Sequence, residues 1–352
     1  MDKMERMTPK ERLDAVVKGK LPDRVPVHDV SCITVAKAMG YVWKDVRYDA
    51  KKLAGLAIEY NRKTGSDFCF GALETPSMFM DLPGMEISQP DDNYGNVLNS
   101  YFTEPEDIDS KDLYDPYDPK ESEWLKKGIV DTIIAVREIN DTGALTSGWS
   151  WGPITTAGFL RGVETFLMDT VLEPELAHKV MKKSTALVDG VMRIGSEGGD
   201  YIWLPDPTAS GTVINAQTFD EFCAPYLSKT VKDWKADLKV PVIYHVCGDT
   251  IPVMKEIVAT GVDVLSLDHA VDIAEARSIV GNDFTLFGNV HPITTLWNGT
   301  PADIRRESLE CIQKAGLNGR FILSGGCEVT RDTSIENVRA MVDAGKSHKY
   351  KG

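Results

Sequence analysis

Eight short β-branched runs, most of them separated from the next by a stretch of helical periodicity, constrain this chain more than any other feature. They fall at residues 25–29 (VPVHD), 67–71 (DFCFG), 144–149 (ALTSGW), 201–205 (YIWLP), 242–247 (VIYHVC), 262–268 (VDVLSLD), 284–290 (FTLFGNV) and 321–325 (FILSG). Apolar residues recur at 3.6-residue spacing over 174–194, 218–235, 251–260, 273–280, 301–315 and 334–343. Strand then helix, repeated about eight times, predicts an α/β fold of the (β/α)8 TIM-barrel type. An open, doubly wound sheet is the alternative, but no Gly-x-Gly-x-x-Gly follows the first strand to support it. Ahead of that strand, Thr8-Pro9-Lys10-Glu11 has the form of a capping box with proline at the first helical position, which predicts an N-terminal helix over about 9–19.

The regular alternation is interrupted once. Residues 72–123, after the second strand, are rich in Pro, Asp, Asn and Met and are too long for an ordinary strand-to-helix loop. A hairpin turning at Asp92-Asn93 or Tyr94-Gly95 is expected within them. The segment reads as an insertion, either a lid over the barrel mouth or a peripheral decoration. With no internal repeat and no low-complexity linker, residues 1–352 read as a single domain.

Composition narrows the partners. Against 39 Lys and Arg stand 53 Asp and Glu, a net charge of −14, so the basic face needed to neutralise phosphates is not expected. Nucleic acid and anionic membrane surfaces are thereby disfavoured. The N-terminal MDKMERMTPKERLD lacks the apolar core of a signal peptide, and no run of about 18 apolar residues occurs. A soluble cytoplasmic protein is expected, and a homo-oligomer is compatible with the sequence. Six cysteines in 352 residues are too few for a disulfide scaffold. Cys32, Cys69, Cys223 and Cys311 read as small buried hydrophobes, whereas Cys247 and Cys327 lie among glycine and polar residues.

Barrel enzymes carry their chemistry at the C-terminal ends of the strands. The fifth predicted strand ends in Tyr244-His245-Val246-Cys247, where period-two alternation points His245 and Cys247 the same way. An imidazole nitrogen and a thiolate converging there make half a zinc site. Cys327, after the eighth strand, is placed to supply a third ligand, since Gly325 and Gly326 let the backbone lean inward. Three protein ligands leave one tetrahedral position open, as in a catalytic rather than a structural site. Asp268, ending the sixth strand, is a candidate for that fourth place at rest. The mixture of soft and borderline ligands favours Zn2+ over iron or copper.

These residues resemble a known family. His-x-Cys-Gly at 245–248, Phe-Gly-Asn-Val at 287–290, Gly-Gly-Cys at 325–327 and Asp-Pro-x-Ala-Ser at 206–210 are similar to the zinc-dependent, corrinoid-linked methyltransferases of the uroporphyrinogen decarboxylase superfamily. The likeness runs from Pro22-Asp23-Arg24-Val25-Pro26 to the closing helix at 334–343. It implies His245, Cys247 and Cys327 as zinc ligands and Asp268 as an interchangeable fourth. It also implies methyl transfer between a small molecule and the cobalt of a corrinoid (cobalamin) supplied by a partner protein. A decarboxylase of the founding type is the runner-up. In such enzymes an arginine-bearing loop after the first strand holds the carboxylates, whereas here residues 28–33 read His-Asp-Val-Ser-Cys-Ile. A non-catalytic metal- or corrinoid-binding protein is the third reading.

The other strand ends supply the remaining candidates. His28, Asp29, Glu74, Trp149 and Trp151, with Met78, Phe79, Met80 and Met85 in the insertion, offer aromatic and thioether surface and no cation. Trp149, Trp151, Met78 and Phe79 are expected in a substrate pocket, with core packing as their alternative. His28 and Glu74 are candidates for handling a phenolic proton, and Asp206 for orienting a substrate. The balance favours a methoxylated aromatic donor over an anionic thiol such as coenzyme M. Asn289, His291, Gly325 and Gly326 are expected at the mouth where the cofactor would bind. His269 is expected behind Asp268, and His178 and His348 on solvated helix faces.

Overall fold

The computed structural model describes residues 6–69 and 71–350. Six strands form one parallel sheet in sequential order: β1 (Ser147–Trp149), β2 (Tyr201–Pro205), β3 (Val242–Val246), β4 (Val264–Leu267), β5 (Thr285–Val290) and β6 (Phe321–Gly325). Every residue in them is buried. That is why they read in sequence as near-continuous apolar runs rather than alternating ones.

The first two predicted strands survive as shorter extended segments that close the circuit. Val27 bridges Leu323 of β6 in parallel, with His28 N donating to Leu323 O at 3.0 Å and Leu323 N to Pro26 O at 3.0 Å. Asp67 N donates to Val27 O at 3.0 Å, and Phe68 bridges Leu145, two residues before β1. Hydrogen bonds therefore pass from β6 through 26–28 and 67–69 back to the β1 segment. The eight predicted strands are all placed around one ring, although Phe70 of the second lies outside the described residues. Pro26 has no N–H to give a ladder, which helps to keep the first segment short.

Helices cover the ring. The N-terminal one spans Pro9–Val17, and its capping box is present: Glu11 N donates to Thr8 Oγ1 at 3.2 Å and Thr8 N to Glu11 Oε2 at 2.7 Å. It stops short of residue 19 because Gly19 sits at φ 69°. The last helix, Ile335–Ser347, seats directly on the first strand segment. A Cβ at Gly345 would lie 2.3 Å from Val27 Cγ2, so only glycine permits that approach. Among the described residues no helix is long and apolar enough to cross a membrane.

Beneath the sheet, at the N-terminal ends of the strands, Asp67 holds two buried guanidinium groups. Arg24 reaches it through two bonds of 2.7 and 2.8 Å, and Arg12 through one of 3.0 Å. At the opposite end, residues 86–98 form the expected hairpin, with Ile87 bridging Val97 antiparallel and Ser88 N donating to Asn96 O at 2.9 Å.

Candidate active site

The site is built from the C-terminal ends of β3 and β6. His245, on β3, is paired in register with Ser266 of β4, and its Nδ1 lies 2.9 Å from the Ser266 hydroxyl. The ring also stacks on Trp203 of β2, with centroids 5.7 Å apart. Fixed on that edge and face, it turns Nε2 toward Cys247 Sγ at 3.3 Å. Cys327 Sγ lies 3.8 Å from Cys247 Sγ, and the three ligand atoms are all within 4.8 Å of one another. A Cβ at Gly326 would stand 2.3 Å from His269 N, so a glycine is required for the chain to pass that close on its way to Cys327.

One nitrogen and two sulfurs, half-buried and converging, form a donor set that fits tetrahedral Zn2+ with one position left open. The hydrogen bond shared with Cys327 lowers the Cys247 pKa against the effect of burial. The same bond, reinforced by burial, raises that of Cys327 well above the ordinary value.

Asp268, the candidate for the fourth place, is engaged by its own turn. Its Oδ1 accepts from Ala270 N at 2.9 Å and lies 2.8 Å from His269 Nδ1. It does not belong to the His245–Cys247–Cys327 group. An aspartate at the start of a tight turn satisfies that turn's amide first, while its charge is still close enough to Cys247 to act on that thiol in the direction that raises its pKa.

The three residues open into a cavity of about 410 Å³. Phe79, Tyr94, Trp149, Trp151, Phe159 and Trp203 provide aromatic walls, and Glu328 is the carboxylate among the lining residues. Among the described residues neither lysine nor arginine lines it. Trp149, Trp151 and Phe79, expected in a substrate pocket, line this cavity. Met78 does not: it is fully buried behind the wall, its carbonyl accepting from Tyr114 Oη at 2.7 Å.

The proposed proton carriers His28 and Glu74 are occupied elsewhere. His28 is buried in the barrel interior, stacked on Phe68, with Nε2 2.9 Å from Tyr201 Oη and Nδ1 accepting from Val30 N at 2.8 Å. Burial lowers its pKa to about 3, so the ring is neutral. Glu74 accepts from Trp43 Nε1 at 2.6 Å and from Gly95 N at 3.0 Å. It ties the hairpin down and does not line the cavity. Asp206 is also buried, accepting from Thr155 N at 2.8 Å and Tyr244 Oη at 2.9 Å, and burial pushes its pKa up to about 6. It braces the β2 loop against β3 instead of facing a substrate.

The expected cofactor residues shape the neighbouring rim. Asn289 donates to Asp268 O and Val271 O, and His291 Nδ1 caps the turn at Ile293 and Thr294. The His291 ring packs 4.0 Å from His269. Gly325 and Gly326 contribute only backbone, Gly326 N donating to Val290 O. His178 is not simply solvated, since it stacks on Phe222 and lies 3.0 Å from Tyr226 Oη; His348 too is only partly exposed. Cys32, Cys69, Cys223 and Cys311 are buried.

Sequence reasoning missed Glu328, whose pKa burial pushes up to about 7, and Tyr94, which donates to it at 2.7 Å. The available signal for Glu328 was its position immediately after Cys327.

Asp29 yields a test of the buried electrostatics. It is enclosed near Thr64 and Ser66, and burial raises its pKa from 3.8 to about 7. A carboxyl kept neutral in the fold but ionised in the unfolded chain contributes stability that is full below pH 3.8. That contribution declines as the pH rises toward 7 and levels off above it. Relative to Asp29→Asn, the wild type should therefore lose a few kcal/mol between about pH 4 and pH 8. Urea unfolding of both proteins across that range measures it; parallel stability curves would refute the assignment.

A family model described as uroporphyrinogen decarboxylase (URO-D) matches residues 8–348. A methylated-thiol–coenzyme M methyltransferase from Methanosarcina mazei is 28% identical over 344 residues, covering 97% of this chain and 89% of the relative. A methylcobamide:CoM methyltransferase from Methanosarcina barkeri is 26% identical over 351 residues, covering 97% and 98%. A chloroplastic uroporphyrinogen decarboxylase from Oryza sativa is 30% identical, but over 60% of this chain and 55% of its own. Among solved structures, a methyltransferase from Methanosarcina mazei superposes with a TM-score of 0.81 at 23% identity, covering 97% and 99% of the two chains.

Proposed function

The chain belongs to the uroporphyrinogen decarboxylase (URO-D) family, and from that premise we propose that it is a zinc-dependent methyltransferase working with a corrinoid protein. The observation that carries this reading is the convergence of His245, Cys247 and Cys327 at the end of an aromatic cavity. Alignment with methyltransferases over nearly the whole chain supports it, whereas the decarboxylases align over 51–64%. His245, Cys247 and Cys327 would hold Zn2+, which supplies Lewis acidity to the atom that loses or gains the methyl group. Cobalt of a corrinoid carried by a separate protein supplies the other methyl-binding centre.

The chain's own residues set the substrate. Trp149, Trp151, Trp203, Phe79 and Phe159 present flat, polarisable faces suited to an arene. Burying the sulfonate of an anionic thiol against these walls would leave it with no lysine or arginine among the described residues, and a polycarboxylate would meet the same lack. We therefore assign a methoxylated aromatic as methyl donor. Ser266 and Trp203 hold the His245 ring, Asp206 and Tyr244 brace the β2–β3 edge, and the aromatic walls exclude water.

Mixing the protein with cob(I)alamin and a panel of methoxybenzenes, and separately with methylcobalamin and coenzyme M, reads both directions by cobalt absorbance. Turnover of a methoxybenzene should exceed that of coenzyme M by roughly a hundredfold in kcat/KM, the cost of one missing charged hydrogen bond. No turnover in either direction would sink methyl transfer and leave a metal-binding protein. Equal or better use of coenzyme M would sink the donor class alone. Full activity after chelation, on a tetrapyrrole, would favour the decarboxylase.

A further inference from the structure

Tyr94 stands where three distant parts of the chain meet. Its hydroxyl donates to Glu328 Oε1 at 2.7 Å and accepts from Ile33 N at 2.9 Å, while Ile33 N also reaches Glu328 Oε1 at 3.3 Å. Ile33 begins the helix after the first strand segment, Tyr94 lies in the 86–98 hairpin, and Glu328 follows Cys327 directly. The hairpin is no bystander, because Tyr94, Gly95, Asn96 and Val97 form part of the cavity wall.

The loop carrying Cys327 is constrained on both sides of Glu328. Gly326 N is bonded to Val290 O, and Val329 N to Val30 O at 3.1 Å. Little freedom remains for Cys327 to shift without moving the Glu328 carboxylate. The hairpin's other link to this loop is at the rim: Arg331 binds the Asp92 carbonyl, and its Nη1 lies 3.2 Å from Asp92 Oδ2. That link makes no bond to Glu328. Both links are part-buried, and it is the Tyr94–Glu328 bond that runs to the residue next to a proposed metal ligand.

We propose that Tyr94 is a positioning residue that couples the cavity cover to the metal centre: fixing Cys327 fixes Glu328, and Glu328 fixes the hairpin through the Tyr94 hydroxyl. The inference rests on the metal reading above. It adds that occupancy of the three-ligand site is transmitted to residues 86–98, so that the cover is firm only over a loaded centre.

Amide hydrogen exchange at Ser88 and Leu98, both donors across the hairpin, reads this without any substrate. Adding Zn2+ to metal-free wild type should slow their exchange by about tenfold, the scale of one charge-assisted hydrogen bond. In Tyr94→Phe the same Zn2+ should bind with unchanged stoichiometry, measured by elemental analysis, yet give no such protection. Arg331→Ala, which removes only the rim link, should keep the response. A kinetic counterpart is a severalfold rise in KM for the aromatic donor with kcat changed less than twofold. Wild-type protection persisting in Tyr94→Phe would overturn the coupling and leave the metal reading standing. Failure of the wild type to take up Zn2+ would overturn both.

Discussion

Replacing Cys247 by serine is expected to lower kcat/KM for methyl transfer by about a thousandfold or more, because the loss of a Lewis-acid centre removes several kcal/mol of stabilisation. A serine hydroxyl does not ionise near neutral pH and is a poor ligand for a soft metal site, so His245 and Cys327 are left as a pair. Bound zinc should fall from about one per chain to a small fraction. Cys311→Ser is the matched control. Cys311 is buried in a helix, its Sγ lies 3.7 Å from Asn289 Oδ1, and it is not one of the three clustered ligands. That variant should keep both metal and rate. If Cys247→Ser retains full zinc and full activity, His245, Cys247 and Cys327 are not a metal centre, and the proposed chemistry has no electrophile.

The His245–Cys247–Cys327 cluster was legible because it follows from short-range rules. His245 and Cys247 are two apart on a strand, and Cys327 follows paired glycines at another strand end. The residues that sequence reasoning placed wrongly share a different property, in that their partners are far away in the chain. His28 is claimed by Tyr201, 173 positions on, and Glu74 by Trp43 and by Gly95 of the hairpin. Tyr94 and Glu328 were overlooked for the same reason, being 234 positions apart. A polar side chain at a strand end is equally suited to substrate and to scaffold. Only the closed fold shows which of the two reaches it first.

The barrel was more legible than its details. Parallel strands buried on both faces leave apolar runs that the eye finds easily, and the helix Ile273–Val280 matches its expected bounds. Within the expected 218–235 and at the end of 301–315 the backbone loosens its pitch, whereas the closing helix runs on to Ser347 as regular α-helix. Lys126–Val130, Phe219–Cys223, Pro292–Trp297 and Ile312–Gly316 are π-helical turns. A hydrophobic period cannot separate these from α-helix. The insertion was recognisable by its composition, but its role as a cavity wall depends on where Glu74 and Glu328 hold it.

Asp67→Ala should be the most destabilising single change at the base of the barrel, costing about 3–5 kcal/mol. Arg12, Arg24 and Asp67 are each no more than 2% exposed, so the carboxylate neutralises charge where water cannot. Truncation removes both of its bonds to Arg24 and one to Arg12, and also orphans the Val27 amide, which donates to Asp67 Oδ2 at 2.9 Å. Arg12 retains Asp23 at 2.7 and 3.0 Å and Arg24 retains the Val25 carbonyl at 3.0 Å, so the loss is shared between the guanidinium pair and the segment that closes the ring. Asp67→Asn, which preserves shape while removing the charge, should cost roughly half as much. The exposed pair Arg62–Asp141 has bonds just as short, at 2.6 and 2.7 Å, yet Asp141→Ala should change stability by less than about 0.5 kcal/mol. Urea unfolding of the three variants separates burial from bond length as the quantity that matters. Equal small losses at Asp67 and Asp141 would mean that the guanidinium pair finds other compensation, and that ring closure between β6 and residues 67–69 does not depend on this carboxylate.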